Sequence, residues 1–225
     1  MIILKDLRDI YNLIQIFMAI KLIPKKTESR RFCMSKFWGD PDMPSDMQYP
    51  MLKVGDNDEE YPLNFICQID CADIASFDKE GILPKEGMFY FFVALDYFMG
   101  YDTPVKIPVG EWPRGYAVVK YTKNINPETF QSFIMVDEEG ESLAELPLAI
   151  DFEECSQDDA GIKLLGKSSN GEVTKEFNDY INLLQLATNE LLGLDLKKEG
   201  LINIFVKPSD IQYGNWKITR TNFFY

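Results

Sequence analysis

Any chemistry in these 225 residues falls to carboxylates, amides, lysines, tyrosines, hydroxyls and four cysteines, because histidine is absent. That absence removes Ser-His-Asp and Cys-His nucleophiles, the histidine-bearing zinc sites of hydrolases and imidazole-based pH switching. Glycoside hydrolysis needs only two carboxyl groups, so carboxylate chemistry stays open and the sequence leans away from an enzyme without excluding one. The side chains that stand out are Gln68 in "FICQID" and Gln185 in "NLLQLA", each an amide inside an apolar run. A buried amide finds hydrogen-bond partners or costs about 1–3 kcal/mol. Either each glutamine ties down the backbone of a neighbouring loop, or the two face a shared cleft and contact a ligand there, with Asp40 and Glu111 as acidic members of the same site. A pair of carboxyls roughly 5–9.5 Å apart in such a cleft would carry hydrolysis.

Metal and cofactor motifs are not found. "DNDEEYPL" offers oxygen ligands at Asp56, Asp58 and Glu60, but Tyr61 and Cys67 stand where an EF-hand loop needs Gly and Glu. It reads as a solvated loop. There is no P-loop and no Gly-rich dinucleotide fingerprint, so no cofactor is expected. Cys33, Cys67, Cys71 and Cys155 form no CxxC pair. In an extended "CQIDC", Cys67 and Cys71 would lie about 13 Å apart, too far for a disulfide. All four read as reduced thiols of a cytoplasmic protein.

The formal charge of −13 disfavours nucleic acid and anionic membrane surfaces and favours a basic protein partner. The expected partner surface combines Trp38, Tyr49 and Trp112 as aromatic anchors with Asp56, Asp58, Glu59 and Glu60.

These residues need elements to position them, and the chain supplies them twice. "KEGMFYFFV" (85–93) returns as "KEGLINIFV" (198–206), "KFWG" (36–39) as "KLLG" (163–166), and Gln68 as Gln185, in the same order. Each "KEG" reads as a glycine turn entering a buried strand. Ahead of them, Leu4, Leu7, Tyr11, Ile14, Phe17 and Lys21 recur at helical spacing and Pro24 ends the run, which predicts an amphipathic N-terminal helix. The expected fold is therefore α+β, mainly antiparallel, with a duplicated pseudo-two-fold core in one domain over 1–225. Within it, 1–32 forms the helix and connection, 33–100 the first repeat, 101–160 connecting strands, and 161–225 the second repeat.

"SKFWGDPDMP", "MQYP", "YPLNFICQIDCADI" and "LPKEGMFYFFVALD" resemble the signature blocks of the YwqG-like bacterial family, a domain of unknown function, and "GIKLLGKSS" and "LLQLATNE" continue the resemblance. Trp38 stands where that family usually has the first of two glycines, and Tyr49 where it usually has Trp. The resemblance implies a strand-rich, pseudo-duplicated fold and carries over no catalytic residues. Two functions follow as expectations. One is a non-catalytic protein-binding or immunity-like module. The other is a small-molecule or sugar-binding protein, or a carboxylate hydrolase, with its cleft between the halves.

Overall fold

Short apolar runs broken by Gly, Pro and Asp favour strands and tight turns over helices from Ala19 onward. The structure, a computed structural model, describes residues 19–54, 59–95, 109–142, 144–196 and 199–225. In chain order its elements are β1 (Ala19–Lys25), β2 (Lys36–Phe37), β3 (Asp42–Pro44), β4 (Met51–Val54), β5 (Glu59–Pro62), β6 (Asn64–Asp70), α1 (Cys71–Ile74), β7 (Met88–Val93), β8 (Gly110–Glu111), β9 (Ala117–Thr122), β10 (Phe130–Ser132), β11 (Leu148–Cys155), β12 (Lys163–Leu164), α2 (Gly171–Glu176), β13 (Ile181–Ala187), β14 (Leu201–Val206), α3 (Pro208–Gln212) and β15 (Thr219–Phe224).

Two expectations are corrected. The fold is mostly antiparallel β rather than α+β, since the three helices among the described residues hold only four to six residues each. The second concerns where the expected N-terminal amphipathic helix ends. Residues 1–18 lie outside the described residues, and Ala19–Lys25, where the helix was to end, is a strand. In β1, Ile20 and Leu22 are fully buried while Lys21 and Ile23 are only half-buried, the two-residue period of a strand. Ladder partners on both sides of β1 override the three-to-four spacing that reads as helix.

Eleven strands form one curled sheet in the order β8-β15-β14-β13-β12-β1-β11-β2-β6-β7-β9. The order is symmetric about the β1–β11 ladder. On one side β12, β13, β14 and β15 follow, and on the other β2, β6, β7 and β9. The repeated phrases occupy equivalent strands in equivalent register: Lys36 lies opposite Gln68 and Lys163 opposite Gln185. The opening strands are exchanged. β1 precedes β2 in the chain but pairs with β12, while β11 precedes β12 but pairs with β2. At the far ends of the sheet, five residues (112–116) link edge strand β8 to edge strand β9, and β9 touches β15, so the sheet curls until its edges meet.

β7 and β14 are buried along their whole length, which explains why "MFYFFV" and "LINIFV" carry apolar runs rather than alternation. One continuous core joins the halves through Ile20, Phe37, Phe91, Leu184 and Ile204. Among the described residues no helix is long and apolar enough to cross a membrane.

The turn into β7 depends on Gly87, whose φ is +98° and whose absent Cβ would lie 2.3 Å from the Thr122 carbonyl oxygen. Gly81, at φ +64°, has open space around it. Gly87→Ala is therefore expected to lower stability by more than 2 kcal/mol, whereas Gly81→Ala costs about 1 kcal/mol, measured by urea unfolding of both variants.

Candidate functional site

Each glutamine lies within one half and clamps the two loops that flank that half's short strand. Gln68 is fully buried; its Nε2 donates to the Met34 carbonyl at 2.9 Å, and its Oε1 accepts from the Asp42 N–H at 2.9 Å. Gln185, also fully buried, donates from Nε2 to the Gly161 carbonyl at 2.8 Å and accepts at Oε1 from the Ser169 N–H at 2.9 Å. Met34 and Gly161 each precede the buried lysine of their half by two residues, and Asp42 and Ser169 each follow it by six. A two-residue strand cannot hold its flanking loops by ladder bonds alone, and the amide supplies the missing ones.

Around this shared clamp the halves differ. In the first half Asp42, fully buried, receives Lys36 Nζ at 2.7 Å, Gln68 Nε2 at 2.9 Å and the Cys33 N–H at 2.9 Å on one carboxylate oxygen. Ser132 Oγ donates to the other at 2.8 Å, and the Tyr90 hydroxyl donates to the Asp42 carbonyl at 2.7 Å. Lys36 is itself 3% exposed, so the ion pair lies in the interior, with both carboxylate oxygens hydrogen-bonded.

In the second half Ser169 takes the place of Asp42, and Lys163, fully buried, has no carboxylate within ion-pair reach among the described residues. Its ammonium donates to the Asp159 carbonyl, while the Asp159 carboxylate pairs with Lys21 at 3.3 Å. Burial pushes Lys163 down to about 8, against the opposing pull of Cys155, Asp159 and Asp158. Burial also pushes Asp159 up, but the Gly161 N–H and Lys21 outweigh it and hold the carboxyl below its ordinary value.

Lys36, Asp42 and Lys163 escape sequence reasoning, although one signal points to the lysines: the same cation opens both "KFWG" and "KLLG", next to apolar residues. The other candidates are scattered. Asp40 is half-buried beside a cavity of about 190 Å³ that Lys36, Arg30, Ser132 and Glu145 also line. Its pKa is raised by burial, with Lys36 and Arg30 opposing. Glu111 lies at the sheet edge in a two-point ion pair with Arg220, whose hydrogen bond holds the carboxyl below its ordinary value.

The aromatic anchors sit deeper than a partner surface requires. Trp112 is 4% exposed and faces Phe223, and Tyr49 is 8% exposed with its hydroxyl on the Leu63 carbonyl at 2.5 Å. Trp38 is half-buried and donates its indole N–H to the Leu192 carbonyl at 3.0 Å. Large flat rings placed between strands bury more apolar area than any loop position offers, which draws them inward. Asp56 and Asp58 lie outside the described residues. Glu59 opens β5, and Glu60 pairs with Lys53 at 3.0 Å.

The cysteines are all free thiols. Burial pushes Cys33 up to about 11 and Cys71 up to about 12, and raises Cys67 further, so none is a ready thiolate nucleophile at neutral pH. No cluster of potential metal ligands occurs among the described residues.

A further feature is the hairpin from Phe133 to Ser142, closed by a Val136–Ser142 bridge and by the Asp137 N–H on the Glu141 carbonyl at 2.9 Å. Ile134, Val136 and the nearby Leu146 are 54%, 52% and 84% exposed, and Phe133, 37% exposed, stacks on Tyr49 with ring centroids 4.6 Å apart. A signal for it was present in the four consecutive apolar residues "FIMV" (133–136) directly before the acidic "DEEGE".

Comparison with family models places residues 35–164 in a domain of unknown function, DUF1963. Comparison with curated proteins gives no match.

Two outcomes follow from the clamps. Lys36→Met strands a buried carboxylate and is expected to cost roughly 3–5 kcal/mol. The double variant Lys36→Met, Asp42→Ser is expected to cost clearly less than the sum of its singles, measured by urea unfolding. For Lys163 the folded pKa of about 8 lies below the ordinary value of 10.5, so between these values the unfolded chain binds the extra proton and stability rises with pH. Below about 8 both states are charged and the burial penalty is complete. Lys163→Met is therefore expected to match or exceed the wild type in stability at pH 7, with its advantage shrinking steadily as pH rises to 10, followed by denaturant midpoints across that range.

Proposed function

Because the chain belongs to the DUF1963 family, for which no function is known, its role has to be argued from its own surface, and we propose that it is a non-catalytic protein-binding module, immunity-like in kind, that docks a basic partner on the Phe133–Ser142 hairpin. The observation that carries this reading is the exposure of Ile134, Val136 and Leu146 beside five carboxylates, those of Asp137, Glu138, Glu139, Glu141 and Glu145. Contiguous apolar side chains rimmed by like charges suit an interface with an apolar centre and a charged rim. A basic partner complements the rim, and the net charge of −13 steers it in. Phe133 rests on Tyr49, which packs edge-on against Phe92, so the apolar patch is backed by the core rather than by a floppy loop. The signature blocks that match YwqG-like proteins add the reading of a bacterial, cytoplasmic member of the family, in keeping with four free thiols.

The test compares immobilised wild-type protein with Ile134→Asp and Leu146→Asp variants, each loaded with the same host lysate at low and at high salt. These residues are exposed, so the variants are expected to keep the wild-type melting temperature within a degree or two. The expected result is a basic protein retained by the wild type at low salt, released at high salt and lost from both variants. Equal retention by the variants would remove the hairpin from the interface, and the absence of any retained basic protein would sink the binding-module reading.

A further inference from the structure

Where the two ends of the curled sheet approach one another, a cavity of about 930 Å³ opens between β9, the loop over 46–50 and the loop over 213–217 that leads into β15. Lys120 stands on its wall, half-buried at the third of the outward positions of β9, and Lys217, exposed, stands on it from the facing loop. The Lys120 ammonium donates to the Gln48 carbonyl, also on the wall, so it is held in place with donors to spare. The chain has 36 acidic side chains against 23 basic ones, yet neither lysine has a carboxylate within ion-pair distance among the described residues. Asp46 lines the same cavity and pairs with neither. Burial lowers the pKa of Lys120 and the Lys217 ammonium lowers it further, so the two cations are near enough to repel one another.

The rest of the wall is aromatic and anchored to the core. Trp216 is 5% exposed and packs edge-on against Phe89 with ring centroids 4.7 Å apart. Tyr121 lies 4.9 Å from the same Phe89 ring and donates its hydroxyl to the Glu86 carbonyl at 2.9 Å. Tyr213, two residues before Asn215 on the same loop, is instead 81% exposed, and among the described residues no other ring packs on it. A large aromatic side chain left open beside two uncompensated cations offers a planar face next to a positive site.

We propose that this cavity binds a small phosphate monoester, its phosphate engaging the Lys120 and Lys217 ammonium groups and its organic body resting on Tyr213. A phosphate monoester carries a charge of about −1.5 to −2 at neutral pH and three acceptor oxygens, which matches two cations that bring only donors. A carboxylate neutralises one of the two lysines, a neutral molecule leaves their repulsion in place, and a cation adds to it. Asp46 accepts from a hydroxyl or amino group of the organic body. The net charge of −13 does not oppose this at close range, because acids more than about 8 Å away are largely screened at physiological salt while the two lysines act by contact. The volume lies within the range of ordinary small-molecule sites. None of the lining residues belongs to the Phe133–Ser142 hairpin, so either reading can fail without the other.

The experiment is calorimetric titration of the whole protein with adenosine monophosphate, phenyl phosphate and inorganic phosphate, with adenosine as the neutral comparator and benzoate as the carboxylate one. At least one of the two esters is expected to bind saturably, roughly tenfold or more tightly than adenosine or benzoate. Lys120→Met and Lys217→Met are each expected to weaken that binding roughly tenfold, whereas Lys175→Met, which removes an exposed lysine outside the cavity, leaves it unchanged. Tyr213→Ala is expected to weaken the esters relative to inorganic phosphate. Lys217 and Tyr213 are exposed, so their variants keep the fold and decide the matter should Lys120→Met fail to fold. No saturable binding of either ester would overturn the proposal, as would adenosine or benzoate binding as tightly as the esters, or Lys175→Met weakening them as much as Lys217→Met does.

Discussion

The seven-residue antiparallel ladder between Ala19–Lys25 and Leu148–Cys155 is the contact from which the rest of the large sheet extends on both sides. Each of its strands opens one half in sequence and completes the other in space, because β1 pairs with β12 and β11 pairs with β2. A duplicated fold joined only by a linker could lose one half and keep the other. Here the exchange forbids that, since β12 without β1 and β2 without β11 would expose unpaired edges two residues long. The halves are tied into one unit by the same pairing that makes them halves, and the single core running from Phe37 to Ile204 is its packing counterpart.

With that ladder in place, the short strands β2 and β12 still need their flanking loops held, and a buried amide does so in the same way in both halves. What differs is the lysine beside it. Lys36 lies against a carboxylate that three further donors also engage, so its burial is offset by a direct ion pair within a hydrogen-bonded network. Lys163 has a carbonyl oxygen and the distant field of acidic neighbours, and its depressed pKa is the measure of what the missing carboxylate leaves uncompensated. The repeated clamp therefore fixes geometry, and the first half alone adds an ionic lock to it.

Much of this architecture was legible in the sequence, and the parts that were not have identifiable causes. The order and register of "KFWG", Gln68 and "KEG" against "KLLG", Gln185 and "KEG" correspond to equivalent strands, because each phrase marks a local need: a cation, an amide, a glycine turn. The strand at Ala19–Lys25 was unreadable because its partners lie more than a hundred residues away, and its helical spacing is a local pattern that long-range pairing overrides. Tyr49 and Trp112 read as surface anchors because aromatic residues with complementary charge are what protein interfaces use. In the fold their rings lie against Phe92 and Phe223 instead. Asp42 was hidden for a different reason: its role comes from Ser132, 90 residues on, and Gln68, 26 residues on, and nothing in "GDPDMP" announces either.

The distribution of charge bears on whether the acidic excess is more than a solubilising coat. Asp42, Glu60, Glu111, Asp151, Glu154 and Asp159 each have a lysine or arginine within ion-pair distance. Most other carboxylates among the described residues have none, and five of these, Asp137, Glu138, Glu139, Glu141 and Glu145, lie in the same stretch of chain as the exposed Ile134, Val136 and Leu146. A coat serving solubility alone gains nothing from placing its unneutralised charge around Leu146 and Ile134, and it gains more by covering such residues with polar ones. The turn itself is built to hold the carboxylates there: Asp137 Oδ1 accepts the backbone N–H groups of Glu139 and Glu141 at 3.0 and 2.9 Å, which fixes the loop with its remaining acids outward. Uncompensated charge and uncovered apolar surface on this hairpin and the segment after it are each unfavourable to the isolated protein, and a basic, partly apolar partner relieves both at once.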